Sequence, residues 1–200
     1  MYYEINKEKV KNIMAMPGEV HGLALLSDKE FILKERGRKK LEEAQEEIRD
    51  MGEELSYGKI EEKKFYPWGK RVLSLLAASR VLRMDNEKVK KMGQASLKRS
   101  FWSKFLTRYL STTKDVFERE VRSWRKKSTV GRLELISVDE KKKEVTLRLY
   151  NLNFHPIFCD YFEGYLQAVG ELNKGVPATC MEKSCYFRAE GPFHEFLLKW

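Results

Sequence analysis

Apolar positions recur mostly at helical spacing up to Lys127, and at Thr129 the period changes to the alternation of a strand. The opening residues set Ile5, Val10, Ile13 and Met14 on one side of a short helix that Pro17-Gly18 ends. Val20 to Leu26 is an apolar run suited to a buried strand or turn, and Ser27 with Glu30 forms a capping pair that predicts a helix start there. Phe31, Ile32 and Leu33 supply the core side of this helix, Gly37 interrupts it, and Arg38 to Met51 carries it on to Gly52. Glu53 to Pro67 predicts a connection anchored by Phe65, Tyr66 and Trp68. Val72 to Leu82 is apolar almost all round, which predicts a helix buried on most sides.

Asp85 is placed to cap the next helix, in which Met92, Leu97, Phe101, Phe105 and Tyr109 recur beside Trp102, Leu106 and Leu110. Thr112 or Thr113 caps another, with Val116, Phe117, Val121 and Trp124 turned inward and basic residues near its end. From Thr129 two alternating segments, around Leu133 and Leu147, flank the polar DEKKK turn and predict a hairpin. Pro156 suits the first turn of a helix reaching about Asn173, with Gly164 and Gly170 permitting close packing. A second hairpin follows, with strands near Val176 to Arg188 and Phe193 to Trp200 about the turn Ala189 to Pro192. The expected fold is α+β: a helical N-terminal two-thirds packed against a C-terminal antiparallel sheet made of two hairpins flanking a helix. One domain spans residues 1–200, with an arm (1–18), a helical part (19–128) and the hairpin–helix–hairpin part (129–200).

An apolar content of 42% is enough for a core of this size, and no window reaches the roughly 18 consecutive apolar residues of a membrane span. The N-terminus lacks the apolar stretch of a secretory signal, so a cytoplasmic location is expected. The net charge of +9 is concentrated: residues 86–132 hold fourteen Lys/Arg against four Asp/Glu. That surplus makes nucleic-acid binding an alternative, though without a recognisable binding motif beside it.

All three cysteines fall between Cys159 and Cys185, together with Glu182 and, further on, His194. Two ligands on a hairpin and one on a packed helix make a plausible zinc set, and the candidates are Cys159, Glu182, Cys185 and His194. Glu182 and Cys185 lie on opposite sides of a regular strand, so a shared ion requires a bulge or bend between them. Cys180 has the parity of Glu182 and is an alternative to it. Spacing alone leaves two other readings open: buried reduced thiols, and a Cys180–Cys185 disulfide.

The pattern of Cys159, Phe162-x-Gly164 to Gly170, Glu182-x-x-Cys185, the Gly191 turn and an aromatic final strand resembles the 4-vinyl-reductase-type small-molecule-binding domain. That family shares its fold with haem nitric-oxide-binding domains and TRAPP-type trafficking subunits. Val20-x-Gly22 to Phe31 and Tyr66-Pro67-Trp68 extend the similarity to a set of bacterial proteins of about this length. The resemblance implies helices against an antiparallel sheet enclosing an apolar pocket. It also implies a structural zinc site from a Cys, a Glu-x-x-Cys and a further Cys. Cys159, Glu182 and Cys185 match in type and order, and His194 stands where the last cysteine is expected. Haem-binding relatives carry an axial histidine on a helix, whereas His21, His155 and His194 lie at loops or strands, so no haem is expected. No dinucleotide fingerprint or poised acid–base pair accompanies the family's name, so the chain is not expected to be an enzyme.

The function expected is therefore non-enzymatic binding or sensing of a hydrophobic small molecule or acyl chain. Its pocket is expected from Val72, Leu75, Leu76 and Ser79 on one helix and Phe101, Trp102, Phe105 and Tyr109 on the next. A homodimeric interaction scaffold using the N-terminal arm is the second expectation, and nucleic-acid binding through residues 86–132 the third.

Overall fold

Polar residues ahead of the apolar run set the start of three of the six described α-helices. The computed structural model describes residues 6–99 and 112–200. Helix α1 (Lys7–Ala15) starts at Asn6, whose side chain accepts the Lys9 amide, and it buries Val10 and Ile13. Strand β1 (Glu19–His21) pairs antiparallel with β2 (Phe65–Pro67). Helix α2 (Gly22–Asp50) begins directly after β1 rather than at the predicted Ser27 cap. The reason is tertiary: the Gly22 amide donates to the Lys64 carbonyl at 2.7 Å, which sets the start, and Ser27 sits inside the helix with its hydroxyl donating to the Leu23 carbonyl. Gly37 breaks the helix as its pattern predicts, at φ 74° and ψ −171°, a combination that favours glycine.

Helix α3 (Trp68–Val81) is central: eleven of its fourteen residues are buried, so neighbours cover it on nearly every side. Helix α4 (Asn86–Arg99) is capped by Asp85, which accepts the Lys88 amide, and α5 (Thr113–Lys127) by Thr112, which accepts the Asp115 amide. The second half supplies β3 (Arg132–Asp139), β4 (Glu144–Tyr150), α6 (Ile157–Lys174), β5 (Thr179–Ser184) and β6 (Phe193–Lys199). The four strands form one antiparallel sheet in the order β3-β4-β6-β5. Val145, Leu147, Leu149, Phe196 and Leu198 alternate along β4 and β6 into the core, with Phe158, Phe162, Leu166 and Val169 on the buried side of α6. The fold is α+β.

Helices α4 and α6 cross at near-contact of their backbones, and two glycines make that possible. A Cβ on Gly93 would stand 2.0 Å from the Tyr161 carbonyl oxygen, and one on Gly164 would stand 1.9 Å from that of Lys90. Both neighbours are backbone, so neither side can yield without moving a helix. Gly164→Ala is therefore expected to cost about 3 kcal/mol, at the upper end of ordinary overpacking, and to lower Tm by about 9 °C in a thermal melt.

The final hairpin departs from its prediction. Strand β5 ends at Ser184, and Tyr186–Arg188 form a 3-10 turn in place of the expected continuation to Arg188. Glu190 holds this turn closed: its carboxylate accepts the Cys185 amide at 3.0 Å and the Arg188 guanidinium at 3.0 Å. The pairing register also shifts between Glu182 and Ser184, the irregularity that a shared ion requires.

Candidate functional site

The register shift and the 3-10 turn bring Glu182 and Cys185 to the same place, although three residues of regular strand would have opposed them. Cys159 comes from the first turn of α6 and His194 from β6, where it lies opposite Leu149. One ligand atom from each of the four residues lies within 4.8 Å of all the others. The thiol sulfurs of Cys159 and Cys185 are 3.6 Å apart, and Cys159 Sγ is 3.8 Å from His194 Nδ1. A tetrahedral zinc with Zn–S bonds of ~2.3 Å holds two sulfurs roughly 3.8 Å apart, whereas a disulfide needs about 2.05 Å. Spacing and donor types thus fit a tetrahedral ion. His194 Nδ1 and Glu182 Oε1 are hydrogen-bonded at 2.7 Å and would have to separate to roughly 3.3 Å to share one.

The surroundings complete the set. Cys185, Glu182 and His194 are buried, and Cys159 is partly so. Burial first, and then the Glu182 charge, push the Cys159 thiol up, and burial with Glu182 does the same to Cys185. Burial opposes the Glu182 charge, but hydrogen bonds from His194, Cys185 and Cys159 outweigh it and hold the carboxyl below its usual range. Arg188 donates to the second Glu182 oxygen at 3.2 Å. Two thiolates and a carboxylate around a divalent ion leave one negative charge, which this guanidinium faces. Glu163 accepts the Glu182 amide at 2.6 Å and pairs with Lys90 at 2.8 Å, tying the strand to α6 and α4. Cys180 remains outside the cluster, and all three cysteines are free thiols, so the alternative Cys180–Cys185 disulfide is absent.

A second feature adjoins the cluster through the same turn of α6. Phe158, next to Cys159, lines a cavity of about 100 Å³ between the starts of α2 and α3, Ser96 of α4, and helices α5 and α6. Its walls are aromatic and pinned by hydrogen bonds. Trp68 Nε1 donates to Ser128 Oγ at 2.9 Å and Trp124 Nε1 to the Gly131 carbonyl at 2.8 Å, while Tyr165 donates to Glu120 at 2.6 Å. Trp68 also stacks on Phe154 at 5.4 Å and meets Phe158 edge-on at 5.3 Å.

Charged groups interrupt this apolar wall. Arg71, 2% exposed, forms an ion pair with Asp28, 1% exposed, and its guanidinium lies 4.9 Å over the Tyr161 ring. Asp28 also accepts the Ser74 hydroxyl at 2.6 Å, and Ser74 contacts the Tyr57 hydroxyl at 2.8 Å. Burial, against that Ser74 bond, pushes Tyr57 up to about 12. Lys127 at the end of α5 is lowered by burial, against the pull of Glu120, and His21 is lowered by burial and by the Lys127 charge.

The residues expected to form the pocket are distributed differently. Val72, Leu75, Leu76 and Ser79 are buried within the core, and α3 meets this cavity with its first turn, Trp68 and Arg71. A helix covered on all sides presents its end, not its flank, to a space between other elements. Phe101, Trp102, Phe105 and Tyr109 lie outside the described residues. As packed, about 100 Å³ is room for one ring, which suits the small molecule of the two ligand types expected and is too little for the acyl chain. The basic stretch is partly neutralised where it is described: Lys90 pairs with Glu87 and Glu163, Arg122 with Glu118, and Lys127 faces the cavity. Among the described residues no helix is long and apolar enough to cross a membrane. Sequence reasoning missed His21, Asp28, Arg71, Glu120 and Lys127. Arg71, a charge directly before an apolar run predicted to be buried, was the one visible signal.

No protein-family model matches the chain, and no curated protein matches it. Solved structures do. An H-NOX protein from S. oneidensis in the Fe(II) ligation state superposes with a TM-score of 0.67 at 13% identity, covering 90% of this chain and 95% of that one. The Fe(II) unliganded H-NOX protein from K. algicida gives 0.65 at 10% identity over the same shares. A structure described by haem redox potential and protein-induced porphyrin distortion gives 0.61 at 14% identity, covering 90% and 94%. The fold is thus that of H-NOX domains.

These neighbours overturn the expectation of no haem, since the fold matched over nearly the whole chain is one that holds haem. The exclusion rested on finding no helical histidine, and an imidazole does stand at the cavity. His21, at the β1–α2 junction, has its Nδ1 buried and without a hydrogen-bond partner. His155 is otherwise engaged, accepting the Ile157 amide on Nδ1, with burial and Lys9 pushing it down to about 4. A donor atom is present, but the cavity as packed does not fit a macrocycle. Its volume of about 100 Å³ is below the roughly 300–1,000 Å³ of ordinary ligand sites, so the walls would have to part to admit one.

Proposed function

We propose that this chain is a non-enzymatic small-molecule-binding module of the 4-vinyl-reductase type, with its ligand in the aromatic cavity and a structural zinc ion beside it. The observation that carries the reading is the cavity itself: an indole-walled space at the junction of α2, α3, α5 and α6, in a fold whose solved examples include an H-NOX protein in the Fe(II)NO state and an oxygen-binding H-NOX domain as its oxygen complex. Cys159, Glu182, Cys185 and His194 would hold the zinc. Four protein ligands leave no position open for substrate, so the ion would tie the first turn of α6 to the β5–β6 hairpin rather than perform chemistry. Phe158 and Cys159 are neighbours on that turn, which links the rigidity of the metal centre to one wall of the cavity. Binding with a sensing role follows from this link, since a ligand that moves Phe158 also loads the metal-anchored turn.

The test is a pair of measurements on the full chain. Native mass spectrometry of protein purified without added metal should give one zinc per chain. Tryptophan fluorescence, reporting Trp68 and Trp124, should show saturable quenching by at least one small aromatic compound from a set including phenol, indole and benzoate. Protein with no saturable response to any of them would refute the binding role.

A further inference from the structure

The polar groups around the cavity narrow its ligand to one charge class. Its hydroxyls are already committed within the protein: Ser27 donates to the Leu23 carbonyl, Ser96 to the Gly93 carbonyl, and Ser128 to the Val130 carbonyl while accepting from Trp68. Arg71 is paired with Asp28, and Glu120 accepts the Tyr165 hydroxyl. Two basic lining groups, Lys127 and His21, remain without such a partner. Among the described residues no carboxylate oxygen comes within ion-pair distance of the Lys127 ammonium, and His21 Nδ1 is buried with no hydrogen bond. Both line the same cavity, and burial is the first cause disfavouring the charge on each; the Lys127 charge adds to it at His21 against the pull of Glu62, and Glu120 opposes it at Lys127. A half-buried ammonium next to an unsatisfied imidazole is an arrangement that an anion relieves, because it returns the attraction that water no longer supplies.

Volume sets the other half of the ligand. A dry apolar cavity of ~150 Å³ is known to hold benzene, so about 100 Å³ with an open side corresponds to a single ring and not to a fused system or a chain. The indoles of Trp68 and Trp124, 6.2 Å apart, present flat apolar walls for such a ring. We propose that the cavity binds a small monocyclic aromatic acid, its carboxylate received by Lys127 and His21 and its ring by the two indoles.

This inference rests on the ligand-binding role of the cavity, and the experiment separates the two. Tryptophan quenching is titrated with benzoate, phenol, benzylamine and octanoate, on the wild-type chain and on Lys127→Met, with circular dichroism confirming that the variant is folded. Benzoate is expected to bind the wild type at least tenfold more tightly than phenol or benzylamine, and octanoate more weakly still. Lys127→Met should lower benzoate affinity about tenfold and leave phenol within twofold, with Lys127→Arg restoring most of the loss. Phenol or benzylamine binding as tightly as benzoate, or Lys127→Met binding benzoate as the wild type does, overturns the anion assignment while leaving the cavity a binding site. Silence from all four compounds overturns both.

Discussion

Cys185→Ser is expected to bring bound zinc from one ion per chain to near zero and to lower Tm by about 10 °C. The size follows from linkage: an ion present a thousandfold above its Kd adds about 4 kcal/mol to the folded state, and in a chain of this length each kcal/mol moves Tm by about 2–4 °C. Serine keeps the shape of the side chain but not the thiolate, so the loss isolates coordination from packing. The remaining set would be one thiolate, one carboxylate and one imidazole, a ligand short of the closed tetrahedral site. Cys180→Ser serves as the control. Cys180 lies outside the cluster, and its replacement should leave zinc content unchanged. Chelation of the wild type should reproduce the Tm loss, and addition of zinc should reverse it. Because both thiols are pushed up by burial and by Glu182, metal uptake releases their protons and should weaken as pH falls. A Cys185→Ser protein that keeps one zinc, or melts with the wild type, would show that these four residues form no metal centre.

Arg71→Met is expected to cost about 4 kcal/mol and to lower Tm by about 12 °C. Arg71 and Asp28 are 2% and 1% exposed, so removing the guanidinium leaves a buried carboxylate with the Ser74 hydroxyl as its partner. The second arm distinguishes an uncompensated charge from lost packing. Asp28→Leu combined with Arg71→Met removes both charges, and breaking a buried pair costs far more than replacing it with apolar groups of similar volume. The double variant should therefore recover most of the loss in urea or thermal unfolding. If it is as unstable as Arg71→Met alone, the arginine contributes by filling space against Tyr161 rather than by charge.

Much of the architecture was legible because it rests on local chemistry. Asp85 and Thr112 cap helices where their positions imply, Gly37 breaks α2, and the two alternating segments on either side of DEKKK form β3 and β4. Ser27 misled for an equally physical reason. Its capping pattern is real, but the amide of Gly22 finds the Lys64 carbonyl across the β1–β2 pairing and starts the helix earlier. The cysteine cluster was legible in its members, while the means of assembling it were not. Parity put Glu182 and Cys185 on opposite faces, and only the register shift and the Glu190-closed turn reconcile them.

The α3 residues expected at the pocket do not border the described cavity, because hydrophobicity marks burial and does not say which buried side chain borders empty space. Val72, Leu75 and Leu76 are buried as their pattern requires, yet they meet other side chains. The cavity opens where α3 begins and where α5 and α6 pass it, with His21 and Lys127, separated by more than a hundred residues, brought together at its wall. The sequence by itself determined most of the helix and strand segments, the Asp85 and Thr112 caps, the Gly37 break, the α+β class and the identity of the metal-ligand candidates, since each follows from interactions within a few residues. The tertiary structure alone decided the geometry of the ligand set, the buried Asp28–Arg71 pair and the charge and size of the cavity. Those depend on distances between elements remote in the chain, which periodicity and spacing do not encode.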